Sequence, residues 1–472
     1  MKKLLWLGIP ALMLTASCVG GLDDDYNSNP KRATLVPGVT LVSSAERSLT
    51  RAMVSTNVNV NPFRLWVQQF AETTYPDESR YDFVTRQINN GFWNTLYRDV
   101  LRDLQEGKKL ISADPLIGEA EKANQLAAIE VLEVYTWAVL VDNFGDVPYE
   151  EALDFNKPRP AYTDDKAIYD DIIKRLDKAI GMFNEAEAGF ASGDLIYDGD
   201  VAAWKKFANS LKLRLALTIS DVDPSQAGTM AAAAAPGVFT SNDDNADLTF
   251  DATTPNTNPL WEDLVFSGRT DFIATQVFLD ALQGDPRRDD YFNPVKGTED
   301  TYKGGVAGDA HSFSYSLPSD KLREPTFPGV LMSYAEVEFL LAEAAARGFA
   351  VGGTAAEHYG KGVVASIKEW GNSEADALVY LAAHPYNPAD YKKSIGFQKW
   401  IALYGQPVEN WKEVRRLDEP KLATANNAVL DAMPKRYTYP IPEQNLNTAN
   451  YNAAKAAIGG DEPSTAVFWD KF

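Results

Sequence analysis

Residues 123–149 read ANQLAAIEVLEVYTWAVLVDNFGDVPY. Apolar side chains fall at Leu126, Ile129, Val131, Leu132, Val134, Tyr135, Trp137, Val139 and Leu140, and only Glu130 and Glu133 interrupt the middle of the run. A helix that is apolar nearly all round its circumference has to be covered on every side. The two glutamates argue for a protein core rather than a bilayer. The run stops at Asn143-Phe144-Gly145-Asp146-Val147-Pro148, where a glycine can take the left-handed cap and a proline bars continuation. The chain is therefore predicted to be organised around a buried helix, and that helix needs amphipathic neighbours.

Several segments have the required spacing. Residues 164–180 place Ile168, Ile172, Leu176 and Ile180 on one stripe, with Asp164 and Asp165 at the end where the helix dipole favours acids. Residues 201–219 line up Trp204, Ala208, Leu211 and Leu215 behind the N-cap candidate Asp200. Residues 333–347 carry Val337, Leu340, Leu341, Ala344 and Ala345. Ser333 opens them with Glu336 three later, the signature of a capping box. Residues 354–370 run through Tyr359, Val363, Ile367 and Trp370 to Gly371, and 35–54 and 87–110 are also helix-like. Alanine-rich segments in pairs predict stacked helical hairpins. No clean 34-residue sequence period accompanies them, so they would be tetratricopeptide-like in packing only.

Between the helices lie three regions read as loop-rich: 72–86, 221–330 and 371–472. The middle one holds Asp-, Asn-, Pro- and Gly-rich strings such as Ser241-Asn242-Asp243-Asp244-Asn245 and Gly284-Asp285-Pro286. A loop region that long is uncommon in a compact domain and is often functional. The last third, with Pro407, Pro420, Pro434, Pro440 and Pro442, is expected to be irregular structure wrapped around the helices. The fold class expected is mainly α: a helix-pair scaffold with long irregular, loop-rich insertions.

The chain's 472 residues are 45% hydrophobic and 24% charged, a globular composition that argues against disorder throughout. With 45 Lys and Arg against 66 Asp and Glu, the net charge is −21, a surface that repels phosphate backbones and anionic headgroups. Nucleic acid is not an expected partner. The N-terminus supplies another means of membrane attachment. Met1-Lys2-Lys3 is a short basic region, and residues 4–14 are apolar but too short for the roughly 20 residues a bilayer span needs. Leu14-Thr15-Ala16-Ser17 then leads into Cys18, the one cysteine of the chain, in the manner of a bacterial lipobox. The expected organisation is a lipoprotein signal peptide over 1–17, a lipidated flexible tether over 18–34, and a single helical domain over 35–472. Acylated Cys18 would anchor the protein in the outer-membrane lipid. Gly20-Gly21 followed by Asp23-Asp24-Asp25 resembles an acidic surface-export signal, so the chain is expected to face the cell exterior.

Chemistry-bearing motifs are few. His311, His358 and His384 are scattered, and the chain has no His-Glu-x-x-His, no Gly-x-Ser-x-Gly and no P-loop. No cofactor, metal or catalytic residue is expected. Asp198-Gly199-Asp200 and Asp243-Asp244-Asn245 with Asp247 lack the spacing of a calcium loop and read as solvated turns.

Five strings in register resemble the SusD/RagB family of outer-membrane nutrient-binding lipoproteins, in its shorter SusD-like branch. They are DNFGDVPY at 142–149, WKKFANSLKLR at 204–214, SYAEVEFLLAEA at 333–344, WKEVRR at 411–416, and RYTYPIPE at 436–443 with Asn447, Asn450 and Tyr451. The resemblance implies four tetratricopeptide-like helix pairs. It also implies a surface lipoprotein that lids a TonB-dependent, SusC-like transporter and captures oligosaccharide, or peptide in some branches. DNFGDVPY itself reads as a helix-ending turn, and Arg415, Arg416 and Arg436 as ties from loops to scaffold.

Binding is expected instead in aromatic loops, where flat rings meet the C–H faces of sugars and a few polar groups meet the hydroxyls. In glycan-binding members the site draws on the loop before the helix that here begins near Asn89. That loop maps to 73–81, with Tyr75, Asp77, Arg80 and Tyr81. A second contribution from mid-chain loops points to Trp261, Phe266, Arg269 and Asp271, then to Tyr302 and Tyr315. The first loop lacks the tryptophans of a starch-type cradle, which argues against starch itself. A peptide or protein-fragment binder on the same scaffold and a surface glycoside hydrolase are the competing readings; binding panels and the release of reducing ends separate them.

Overall fold

The protein, seen as a computed structural model, is described over residues 36–83, 85–311 and 314–471. The signal peptide, Cys18 and the tether expected over 1–34 lie outside the described residues. Among the described residues no helix is long and apolar enough to cross a membrane.

The helix read first runs Glu119–Phe144, and every residue from 127 to 144 except Glu130 is buried. It ends as its sequence requires. Gly145 takes φ +76°, and its N–H donates to the Val141 carbonyl at 2.9 Å. The neighbours assemble as four antiparallel hairpins. Gly38–Val54 packs on a helix spanning 89–113, which contains a π-helical stretch Thr95–Leu101. Glu119–Phe144 packs on Asp165–Met182, Val201–Thr218 on Pro224–Ala234, and Tyr334–Ala346 on Ala355–Glu369. The predicted cap is in place at Asp200, whose carboxylate accepts from the N–H groups of Ala202 and Ala203, and Asp164, placed by the helix dipole, also caps its helix by accepting from the Ala167 N–H. The capping box lies elsewhere than expected. Ser333 accepts from the Glu336 N–H, but the Glu336 carboxylate is taken by Arg214; the reciprocal pair forms instead at Thr354 and Glu357.

Two regions read as loops contain helices. Pro224–Ala234 opens the 221–330 region, and Glu374–Ala383, Tyr391–Ala402 and Pro407–Leu417 fill the first part of the last third. Pro407, one of the prolines behind the expectation of irregular structure, stands at the first helical position, where a proline loses no intrahelical hydrogen bond. Beyond Leu417 the chain is mostly irregular up to the two short helices Ile441–Leu446 and Thr448–Ala457.

Buried ion pairs clamp the stack. Arg214 grips both oxygens of Glu336 at 2.7 Å, and Gln406 adds a third bond to that carboxylate. Arg416 bridges Glu343 and Glu413, and Lys399 holds Glu413 from the other side at 2.5 Å. Arg415 donates to the carbonyls of Asp142 and Lys435, and Arg436 to that of Phe144 and to Asp461. Arg415 and Arg436 therefore tie irregular backbone to the end of the buried helix, whereas Arg416, expected as a loop tie, joins helix to helix through Glu343 and the Leu217 carbonyl. Rings of Phe63, Trp66, Trp411 and Tyr437 fill the space beside it, with Phe63 stacked on Trp411 at 4.8 Å.

Strands are minor, and one pair positions the site. Phe70–Glu72 lies antiparallel to Phe272–Ala274, with Glu72 opposite Phe272.

Candidate ligand-binding site

The register of that ladder brings two sequence-distant loops together. Past Glu72, the Thr73 N–H donates to Asp271 O at 2.8 Å and the Thr73 hydroxyl to Thr270 O at 2.7 Å. The segments flanking the ladder, the loop from 73 and the loop 267–271 that follows the π-helical stretch Glu262–Phe266, are thus joined at Thr73. A third wall is the turn 55–60, folded on the Asn57 side chain, which accepts from the Asn59 N–H at 3.0 Å. That turn is pressed against the next helix: a Cβ on Gly91 would lie 2.3 Å from the Asn59 carbonyl oxygen. The three walls enclose an open cavity of about 530 Å³, lined among others by Thr56, Asn57, Asn59, Thr74, Tyr75 and Ser267 and by a set of charged residues. The volume is that of a small-ligand site.

The floor is acidic. The Glu72 Oε2 accepts from the Ser79 N–H and hydroxyl at 3.1 and 2.7 Å. Burial outweighs those bonds and pushes its carboxyl up to about 8, with Glu78 beside it adding to the rise. Glu78 is also raised, by burial first, although Arg86 pairs with it and opposes the shift. Asp263, bonded by the Thr56 hydroxyl at 3.1 Å, is pushed up to about 6 by burial. Arg269 pairs with Asp271 at 2.6 Å. Over this floor stands Tyr75, 71% exposed and held at φ +54°, a backbone conformation that a bulky residue seldom adopts. An exposed ring above a floor of carboxylates, amides and hydroxyls can stack on one face of a ligand while bonding its rim.

A sequence profile of the SusD-like family, described as starch-binding and associating with the outer membrane, matches residues 30–440. The chain belongs to the SusD-like family. Solved structures agree with the SusD-like fold. A chitin-binding protein superposes with a TM-score of 0.80 at 29% identity over 92% of this chain and 100% of its own. A SusD homologue from Bacteroides uniformis gives 0.76 at 27% identity over 92% and 99%. A chitin-binding SusD homologue from Flavobacterium johnsoniae gives 0.77 at 23% over 92% and 98%, a likeness of fold. No curated protein matches the sequence.

In this SusD-like frame the residues singled out from sequence separate into groups. Tyr75, Asp77, Arg269 and Asp271 come together in the cavity. Trp261 and Phe266 stack on each other at 5.2 Å on the adjoining helical segment 259–266, with Phe266 68% exposed, but they do not line the cavity. Arg80 points away and donates to Gly308 O at 2.7 Å. Tyr81 is only 2% exposed, its hydroxyl accepting from the Ala425 N–H, so it offers no face to a ligand. Tyr315 packs edge-on against His311 under the Lys303 ammonium, and Tyr302 lies under the Arg288 guanidinium; both are outside the cavity. Sequence reading missed the 55–60 wall and the acids Glu72 and Asp263, and it held Glu78 only as part of the 73–81 loop. The alternating Asn57-Val58-Asn59-Val60-Asn61 string was the available signal for the wall.

Of the two aspartate-rich stretches read as solvated turns, only Asp198-Gly199-Asp200 is one; the second is a 3-10 turn Asn242–Asp244 that runs into the strand Ala246–Leu248, which contains Asp247. Asp200 caps a helix, and Asp244 is held by Lys206 and by Thr240.

Proposed function

We propose that this SusD-like chain captures oligosaccharide in the cavity beneath Tyr75 and passes it intact to a TonB-dependent, SusC-like outer-membrane transporter. It is held at the outer membrane through acylated Cys18, facing the cell exterior, and performs no bond cleavage. The observation that carries the reading is the exposed Tyr75 ring set over a polar, open cavity. It occurs in a chain whose family is described as starch-binding and whose solved relatives include chitin binders. The absence of catalytic motifs from the sequence supports capture without chemistry.

The test is calorimetry of the mature chain against panels of oligosaccharides and peptides, with the binders afterwards assayed for new reducing ends. One glycan class binds, Tyr75→Ala weakens it about tenfold, the sum of a stacking contribution and lost contact area, and no reducing ends appear. Peptide binding with no glycan binding contradicts the reading, and so does cleavage of the bound glycan.

A further inference from the structure

Two side chains that line no part of the cavity join the roots of two of its walls. Arg51 stands in the last turn of the helix Gly38–Val54, and Glu262 opens the π-helical stretch Glu262–Phe266. The Arg51 guanidinium grips both Glu262 oxygens, at 3.0 and 2.7 Å, and also donates to the Thr257 carbonyl at 2.8 Å. The Thr257 hydroxyl donates to the same carboxylate at 2.8 Å. Partial burial works against ionisation, yet the bonds from Arg51 and Thr257 hold the Glu262 carboxyl below its ordinary range. A two-pronged pair of this kind fixes orientation as well as distance.

The backbone of each partner carries the start of a wall. The Arg51 carbonyl accepts from the Ser55 N–H at 3.1 Å, where the 55–60 turn begins. The Glu262 carbonyl accepts from the Ser267 N–H at 2.9 Å and so closes the π-helical turn. The Ser267 hydroxyl in turn accepts from the Arg269 N–H at 3.1 Å. Thr56, Asn57 and Asn59 of the first wall and Ser267 and Arg269 of the second line the cavity. One further bond, from Thr56 to Asp263 at 3.1 Å, crosses between the walls themselves.

Folding alone does not account for the pair. Its side chains are 30% and 28% exposed, and ion pairs so exposed contribute little to stability. The 259–266 segment is also tied elsewhere, since Asn258 donates to the Pro325 and Phe327 carbonyls at 2.8 and 2.5 Å. The pair instead fixes how far apart the two walls stand. A sugar bonded to both walls at once needs that spacing, because a displacement of about 1 Å is enough to break a hydrogen bond.

We infer that Arg51 and Glu262 are positioning residues that set the spacing of the 55–60 turn and the 267–271 loop for the captured glycan. This rests on the glycan-capture reading above and adds to it a pair that tunes affinity without touching the cargo.

The test uses the full mature chain and two readouts besides stability. Affinity is titrated with the hexamer of β-linked N-acetylglucosamine and with a linear glucan of equal length. Wall spacing is measured without ligand, from paired nitroxides on Asn59→Cys and Val265→Cys in a Cys18→Ala background; both labelled positions are exposed. Arg51→Met and Glu262→Met should each weaken binding about fivefold, the scale of one hydrogen bond. The double variant should lose no more than either single one. The melting temperature should fall by no more than about 2 °C, and the distribution of nitroxide distances should broaden. Unchanged affinity, or losses that multiply in the double variant, would overturn the inference and leave glycan capture standing. An unchanged distance distribution would do the same, and so would an affinity loss that appears only with a large fall in melting temperature. Binding of neither oligomer would count against glycan capture itself, while the distance distribution still decides whether the pair sets the spacing.

Discussion

Glu72 holds its proton more tightly in the folded protein than in the unfolded chain, because burial disfavours its charge. Below the unfolded value of about 4.5 both states are protonated and the group is neutral in its effect. As pH rises from there toward about 8, the unfolded chain ionises and the folded one does not, so stability is lost across that window. Glu72→Gln keeps an oxygen for the Ser79 donors and removes the penalty. The variant should melt like the wild type in acid and be more stable near neutrality, on the order of 2 kcal/mol. Thermal midpoints measured across pH would show it, and a gap that does not vary with pH would contradict it. Tyr75 behaves differently: being largely exposed, its replacement by alanine should leave the melting temperature nearly unchanged while affinity falls. At this scale the sequence was informative only where the resemblance supplied a map. Tyr75, Asp77 and Arg269 could be pointed to, but nothing in the order of residues separates an exposed Tyr75 from a buried Tyr81 six positions on. That distinction comes from the turn at 76–81, where Trp66 donates to the Glu78 carbonyl and draws the loop inward.

The elements were the most legible part, because a period of 3.6 residues is written directly in the side chains. The buried helix and its amphipathic partners start and stop within a few residues of where their spacing and caps place them. The helices between 374 and 417 were not legible, since prolines and mixed polarity there mask segments that tertiary contacts complete: Glu374–Ala383 packs on the 355–369 helix, Tyr391–Ala402 on the 334–346 helix, and Pro407–Leu417 on Tyr391–Ala402. The clamp between Val201–Thr218 and Tyr334–Ala346 depends on one buried pair. Arg214→Met would leave the Glu336 carboxylate in the core with Gln406 as its remaining donor, and should cost about 3–5 kcal/mol in denaturant unfolding. A loss under 1 kcal/mol would mean the pair is not structural. The cavity wall at 55–60 is set by an element contact too. Gly91→Ala puts a methyl against the Asn59 carbonyl, so it should lower both stability and ligand affinity although residue 91 touches no ligand. Unchanged binding would show that the turn does not shape the site.

For the whole molecule, family membership follows from a profile match over 30–440, while the anchor and the transporter are read from the first 25 residues and from the resemblance. Cys18→Ala should move the protein from the membrane pellet to the soluble fraction; retention in the pellet would refute the anchor. The proposed role, capture without chemistry, needs a cargo-binding face that is complete in the isolated chain, and the three walls of the cavity all come from residues 55 to 272. The most direct test of that claim is a crystal structure of the mature chain with an oligosaccharide that it binds. The account predicts a sugar ring stacked on Tyr75 with its polar groups bonded to the 55–60 turn and to Asp77. A ligand seated elsewhere, such as the separate cleft lined by Asp285, Asp289 and Tyr380, would contradict it.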